Sequence, residues 1–179
     1  ICLLFSVAFF QFFYTLPLFY KDVVKMTQTE IGLLMGFSGF IIVVFEMLLI
    51  HYTEKKFTVT KLLVFGSFIT AISYTIFSFN HTIGMLYLAI SLMSVGEMLV
   101  LPLMSTVTAF RAQKNNRGAY MGLNGMSNAA AFIISPFLGT HIATSYGFDV
   151  LWILTSIVLI VVAIGYHFFT KPLLPKNMQ

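Results

Sequence analysis

Six stretches of this chain stay apolar for close to 20 residues or more, the length that carries a helix across the hydrocarbon of a bilayer. They run from about Ile1 to Tyr20, Ile31 to Tyr52, Lys61 to Phe79, Thr82 to Phe110, Tyr120 to Ser145 and Val150 to Phe169. Phe, Leu, Ile and Met recur at every helical phase of most of them, as expected where lipid replaces water, and no stretch alternates as a barrel strand would. The predicted class is therefore an all-α membrane protein with six crossings. The connections, chiefly Lys21 to Glu30, Thr53 to Thr60 and Arg111 to Arg117, are too short for a soluble domain, so any chemistry is expected within the membrane.

Within the apolar pattern one motif recurs. Gly32-Leu33-Leu34-Met35-Gly36-Phe37-Ser38-Gly39 and Gly118-Ala119-Tyr120-Met121-Gly122-Leu123-Asn124-Gly125 both read G-x-x-M-G-x-x-G, 86 positions apart. Each follows a Leu-Pro-Leu, at Leu16-Pro17-Leu18 and Leu101-Pro102-Leu103. The chain thus reads as a doubled three-helix unit, residues 1–79 and 80–170, followed by a tail at 171–179. Three crossings per unit make the second copy inverted, a known design of secondary transporters. The two prolines are expected to bend the first and fourth helices. The six motif glycines offer small-residue surfaces for helix packing. That packing explains each glycine singly but not their duplication.

Composition agrees: hydrophobic residues make up 59% of the 179 and charged residues 9%, against about 25% charged in a soluble domain. The formal net charge of +4 changes the picture only through its distribution. With six crossings Lys21 and Lys25 fall on one side, while Lys55, Lys56, Lys61, Arg111, Lys114, Arg117, Lys171 and Lys176 fall on the other. The positive-inside rule makes the second side cytoplasmic, with both chain ends there, the second helix running inward and the fifth outward. The basic residues serve as topology anchors in this reading, and no nucleic-acid partner is expected.

Two carboxylates lie inside predicted spans, Glu46 and Glu97, and charge at depth costs about 2.5–3.5 kcal/mol on insertion scales. On a helical wheel Ser94, Glu97, Leu101, Ser105 and Thr108 share one face of the fourth helix, a polar stripe that should face protein or water. Glu97 falls near mid-bilayer, where a carboxyl group can exchange a proton near neutral pH. It is the leading candidate for proton coupling or cation binding, against a purely packing role hydrogen-bonded to another helix. Glu46 shares a face with Gly39 and is either an inter-helix lock or gate or a substrate contact. Gln11, beside Tyr14 and Thr15, and Asn124, Asn128 and Ser135 need partners at their depth, from a neighbouring helix or from a solute. His51, Glu54, Lys55 and Lys56 form a charged group at the cytoplasmic end of the second helix, where gating competes with simple solvation. The third and sixth helices carry only scattered Ser, Thr and Tyr, and a peripheral place is expected for them.

The four histidines lack metal-ligand spacing, and Cys2 is alone, so no metal, thiolate cluster or disulfide framework is expected. Trp152 and the tyrosines read as interfacial belts. There is no Walker A loop, nucleotide fingerprint, nucleophile elbow or H-E-x-x-H, and therefore no expectation of an enzyme or a cofactor. The chain opens in an apolar run without a basic n-region, so it reads as a stretch beginning inside a longer protein rather than as a signal peptide.

Arg117-Gly118-Ala119-Tyr120-Met121-Gly122, continuing through Ser135-Pro136-Phe137-Leu138-Gly139 to Gly147 and Leu151-Trp152, resembles the tenth loop and eleventh helix of major facilitator superfamily carriers, most closely their drug:proton antiporters. Gly96-Glu97-Met98-Leu99 with Pro102 is similar to the tenth-helix G-E-x-L-x-x-P of many members. Glu54-Lys55-Lys56 to Lys61-Leu62-Leu63 resembles a degraded acidic-basic loop between helices eight and nine, with Glu where Asp is common and without the usual glycine. The resemblance implies the C-terminal six-helix bundle of a twelve-helix carrier, whose partner is an N-terminal half. It implies a cavity bordered by Gln11, Tyr14, Ser94 and Glu97, flanked by Asn124 and Asn128, with Glu46, Glu54, Lys55 and Arg117 as gating candidates. It further implies proton-coupled movement of a small organic solute across the plasma membrane by alternating access. Efflux of amphiphilic compounds is the first expectation and proton symport of a peptide, sugar or nucleoside the alternative. A non-transporting membrane scaffold or sensor is the reading from a different class.

Overall fold

In a computed structural model, which describes residues 1–112 and 116–170, the chain forms a bundle of six membrane-spanning helices. They are α1 (Cys2–Asp22), α2 (Gln28–Glu54), α3 (Val59–Phe79), α4 (Ile83–Arg111), α5 (Arg117–Tyr146) and α6 (Phe148–Thr170). Each covers the stretch its hydrophobic pattern predicts. Lys114 and the tail at 171–179 lie outside the described residues. Five helices are long and apolar enough to cross a bilayer by composition alone; α5 has the length, at 30 residues, but carries Asn124, Asn128, His141 and several hydroxyls. Helix continues on both sides of Pro17, Pro102 and Pro136, so the prolines do not break their elements.

Local chemistry explains the ends. Thr27 caps α2 with a reciprocal capping box, its hydroxyl accepting from the Glu30 N–H while the Glu30 carboxylate accepts from the Thr27 N–H at 2.8 Å. Gly147, at φ +92°, is the single residue between α5 and α6, and this left-handed conformation favours glycine because it has no Cβ.

The tightest packing joins α3 to α4 and to α6. A Cβ added to Gly96 would meet Thr70 Oγ1 at 2.1 Å and the Gly66 carbonyl oxygen at 2.8 Å, so the α3 and α4 backbones touch directly there. Gly139 instead makes room for the Thr15 side chain where α5 meets α1. Hydroxyls supplement this contact. Ser73 donates to the Ala89 carbonyl at 2.7 Å, Tyr74 to the Ala8 carbonyl at 2.6 Å, and Thr75 and Ser156 share a bond at 2.7 Å. Such bonds hold helices together where lipid removes the hydrophobic drive.

Half of the α3 membrane window is buried against α4 and α6, through a hydroxyl-bonded seam. The contacts correct two expectations. First, Trp152 is fully buried with Tyr20, Tyr74, Phe19 and Phe77, stacking on Tyr74 at 5.5 Å, and so is no interfacial belt residue. Second, Gly32, Gly36, Gly39, Gly118, Gly122 and Gly125 pack no helix of this bundle. All six are exposed, and an added Cβ on any of them meets nothing within 4 Å. The repeat was visible in the sequence, but small size alone does not say which face another helix occupies.

Gly96→Ala should destabilise the protein by roughly 1–3 kcal/mol because its neighbour at contact is backbone. Gly84→Ala, with open space around it, should leave stability unchanged or slightly raised. Thermal unfolding of both variants in the same lipid or detergent checks the contrast.

Candidate functional site

Ser94, Gly96 and Glu97 occupy one turn of α4 and divide its surface. Gly96 meets α3, and Ser94, fully buried, shares a hydrogen bond with Ser38 of α2 at 2.7 Å. At about 100° per residue Glu97 lies about 60° from Ser94 and about 100° from Gly96. It is half-buried. Glu46 is half-buried on α2, flanked by Val43 and Met47, each 82% exposed. The two carboxylates stand on helices that pack against each other. Among the described residues neither has a hydrogen bond or a cationic partner, and the single ion pair is His81 with Asp149 at 4.0 Å, at the other end of the bundle.

The α4 stripe continues from Glu97 through Leu101, Ser105 and Thr108, all half-buried. It ends at a cavity of about 580 Å³ enclosed by the starts of α1 and α5 and the ends of α4 and α6. Thr108, Arg111, Tyr120, Asn124 and Tyr166 are among its walls, and the Asn124 Oδ1 and Tyr166 hydroxyl oxygen are buried without a partner. The arrangement is a polar track along α4. It joins a pair of acids at mid-helix to a pocket with one guanidinium and unsatisfied polar atoms.

Two residues expected to border the cavity are used elsewhere. Gln11 is 5% exposed, and its Nε2 donates to Thr155 Oγ1 of α6 at 3.1 Å, while its Oε1 is buried without a partner. Ser94 is spent on α2. A helical wheel ranks residues by angle but does not say which neighbour fills that angle, and in both cases a hydroxyl on an adjacent helix does. Tyr14 stays on the exposed side of α1, edge-on to Phe132 at 5.3 Å. Asn128 accepts a bond from the Ser6 hydroxyl at 2.6 Å, tying α5 to α1, and Asn124 lines the cavity.

The charged group after Glu46 is solvated. Glu54 is exposed, Lys55 Nζ bonds His51 Nε2 at 2.8 Å, and Lys56 reaches the Tyr52 hydroxyl and sits 4.1 Å from its ring centre. Arg117 is exposed at the first turn of α5. No acidic partner for Lys55 or Arg117 occurs among the described residues. The Ser38 and Ser6 clasps were not anticipated: a lone serine in an apolar run carries no signal until its partner helix is known.

Residues 1–177 match the family model described as Major Facilitator Superfamily. The chain is 26% identical over 127 residues to an uncharacterized MFS-type transporter, YttB, of Bacillus subtilis (strain 168), covering 70% of this chain and 32% of that protein. Among solved structures it resembles a glutamate-to-glutamine mutant of a peptide transporter POT in complex with alafosfalin. The TM-score is 0.76 at 14% identity, over 94% of this chain and 38% of the other. A POT family transporter in complex with a thioalcohol-conjugated peptide aligns with TM-score 0.74 at 16% identity, over 97% of this chain and 40% of the other. The chain therefore spans about a third to two fifths of these relatives. Each of these relatives is described as a transporter, and the likeness to the two solved structures extends to the fold of this bundle.

Removing the Ser38–Ser94 bond should weaken the α2–α4 contact modestly. A double-mutant cycle with Ser38→Ala and Ser94→Ala, read by unfolding in lipid, should return a coupling of about 0.6 kcal/mol, typical of bonds between membrane helices.

Proposed function

The chain belongs to the major facilitator superfamily, and on that basis we propose that it is the C-terminal six-helix bundle of a proton-coupled secondary carrier of small organic solutes. Its helices then correspond to the seventh through twelfth of the family, and an N-terminal half completes the transport path. Residues 1–79 and 80–170 act as two inverted repeats. The contacts support this pairing: α1 packs on α5 and α2 on α4, so the first helix of each triplet meets the second helix of the other. With the basic end in the cytoplasm of a plasma-membrane protein, the cavity of about 580 Å³ opens on the cytoplasmic side.

The observation that carries the coupling role is the pair Glu46 and Glu97: two half-buried acids on membrane helices that pack together, without a cation among the described residues. An uncompensated charge at this depth is costly. A proton taken up from one side and released to the other, as the bundle rocks against its partner half, couples the solute to the gradient. Glu97 is the exchanging group, and Glu46 sets when it releases.

Import is the direction we favour, as proton symport of a nutrient. The support is the likeness in fold to two transporters solved with alafosfalin and with a peptide conjugate, so a peptide-like solute is the first class to try. Export of amphiphilic compounds is the second reading, and it rests on the sequence of the fifth helix and the loop before it.

The complete protein in proteoliposomes distinguishes these readings. Under an imposed inward proton gradient the wild type should accumulate a dipeptide analogue. Glu97→Gln should abolish uphill accumulation and spare gradient-independent exchange. Glu46→Gln should retain accumulation with a shifted pH profile. Undiminished coupled uptake in Glu97→Gln would sink the assignment of that residue, and acid-driven release of a lipophilic cation with no dipeptide uptake would select export.

A further inference from the structure

A second, smaller cleft of about 270 Å³ lies on the outside of the bundle, at the junction of α3 and α6, lined by Thr58, Thr60, Lys61, Phe65, Phe68 and His167 among others. It shares no lining residue with the larger cavity. Its chemistry is divided along the helix axis.

At the end of the bundle, Thr58 is the N-cap of α3 but its side chain makes no capping bond. The amides of the first turn therefore lack the acceptor that a capped helix provides, and the positive end of a 21-residue helix points into the cleft region. Thr60 is 1% exposed, and its Oγ1 has no partner; Thr58 Oγ1 is buried and unpartnered as well. Lys61 is exposed beside them, and His167 closes the far wall from α6. Among the described residues no acid lines the cleft. Uncapped amides, free hydroxyls and an ammonium in one place match the oxygens of a phosphate.

One and two turns further into the membrane the lining becomes apolar. Phe65 and Phe68 follow Lys61 at i+4 and i+7, on the same stripe of α3, and are 56% and 48% exposed. A free phosphate has no use for that stripe. A phospholipid fits both ends: its headgroup on the α3 terminus, an acyl chain along the two rings.

We propose that this cleft is a binding site for an anionic phospholipid, held by the first turn of α3, Thr60 and Lys61 at its phosphate and by Phe65 and Phe68 along one acyl chain. The site adds to the carrier reading without depending on it, because it concerns the lipid-facing surface of α3 and α6. A bound lipid there braces the seam between these two helices at the end of the bundle that carries the basic residues.

Native mass spectrometry of the complete protein, with phosphatidylglycerol or phosphatidylcholine titrated into the micelles, tests it. Wild type should retain phosphatidylglycerol in preference to phosphatidylcholine. Lys61→Gln should weaken that retention about five-fold, the worth of one lysine at an anionic surface, and Lys61→Arg should restore it. Thr60→Val, which removes only the hydroxyl, should also weaken it while leaving the melting temperature near wild type. Soluble glycerophosphate should not compete. Equal retention of the two lipids overturns the proposal. So does wild-type retention by both Lys61→Gln and Thr60→Val, and full displacement by glycerophosphate would make this a free-anion site instead.

Discussion

The backbone contact between α3 and α4 at Gly66 and Gly96 is the constraint on which the rest of the bundle depends. Lipid offers no hydrophobic reward for bringing two helices together, so association rests on close packing and on hydrogen bonds exchanged between them. With no side chain at either glycine, the two helices approach until a Cβ would clash with a carbonyl oxygen. That closeness lets Ser73 reach the Ala89 carbonyl, and on the opposite face α3 reaches α6 through Thr75 and Ser156. The same turn of α4 that carries Gly96 carries Ser94 and Glu97. Seating one glycine therefore orients the serine toward α2 and the acid beside it.

Polar side chains in this bundle divide into two kinds, and the division is energetic. Gln11, Ser94, Ser6 and Asn128 each find a protein partner on another helix, which offsets the cost of taking them out of water. Glu46 and Glu97 find none among the described residues, although charge at depth is the most expensive kind of polarity.

The surfaces left uncovered are as informative as the core. α2 buries only Leu34 and Ser38, and α5 exposes residues along most of its length, including every motif glycine on both helices. The α3 and α6 pair, by contrast, is knit inward through its hydroxyls and aromatic rings, and its outer surface is left to lipid.

Number, length and sequence position of the helices were legible in the residues alone, because hydrocarbon forbids unsatisfied backbone and so converts any long apolar run into a helix. The doubled glycine motif and the two intramembrane acids were equally visible, since repetition and intramembrane charge are both improbable by chance. Pairing was not. Whether Gly36 or Gly96 touches another backbone, whether Gln11 faces a solute or Thr155, and whether Trp152 meets lipid or Tyr74 depend on which helix occupies a given angle. A one-dimensional pattern does not carry that angle in a membrane, where apolar residues face lipid and core alike. Tertiary packing decided it, through the few positions where a missing side chain or a single hydroxyl allowed two helices to meet.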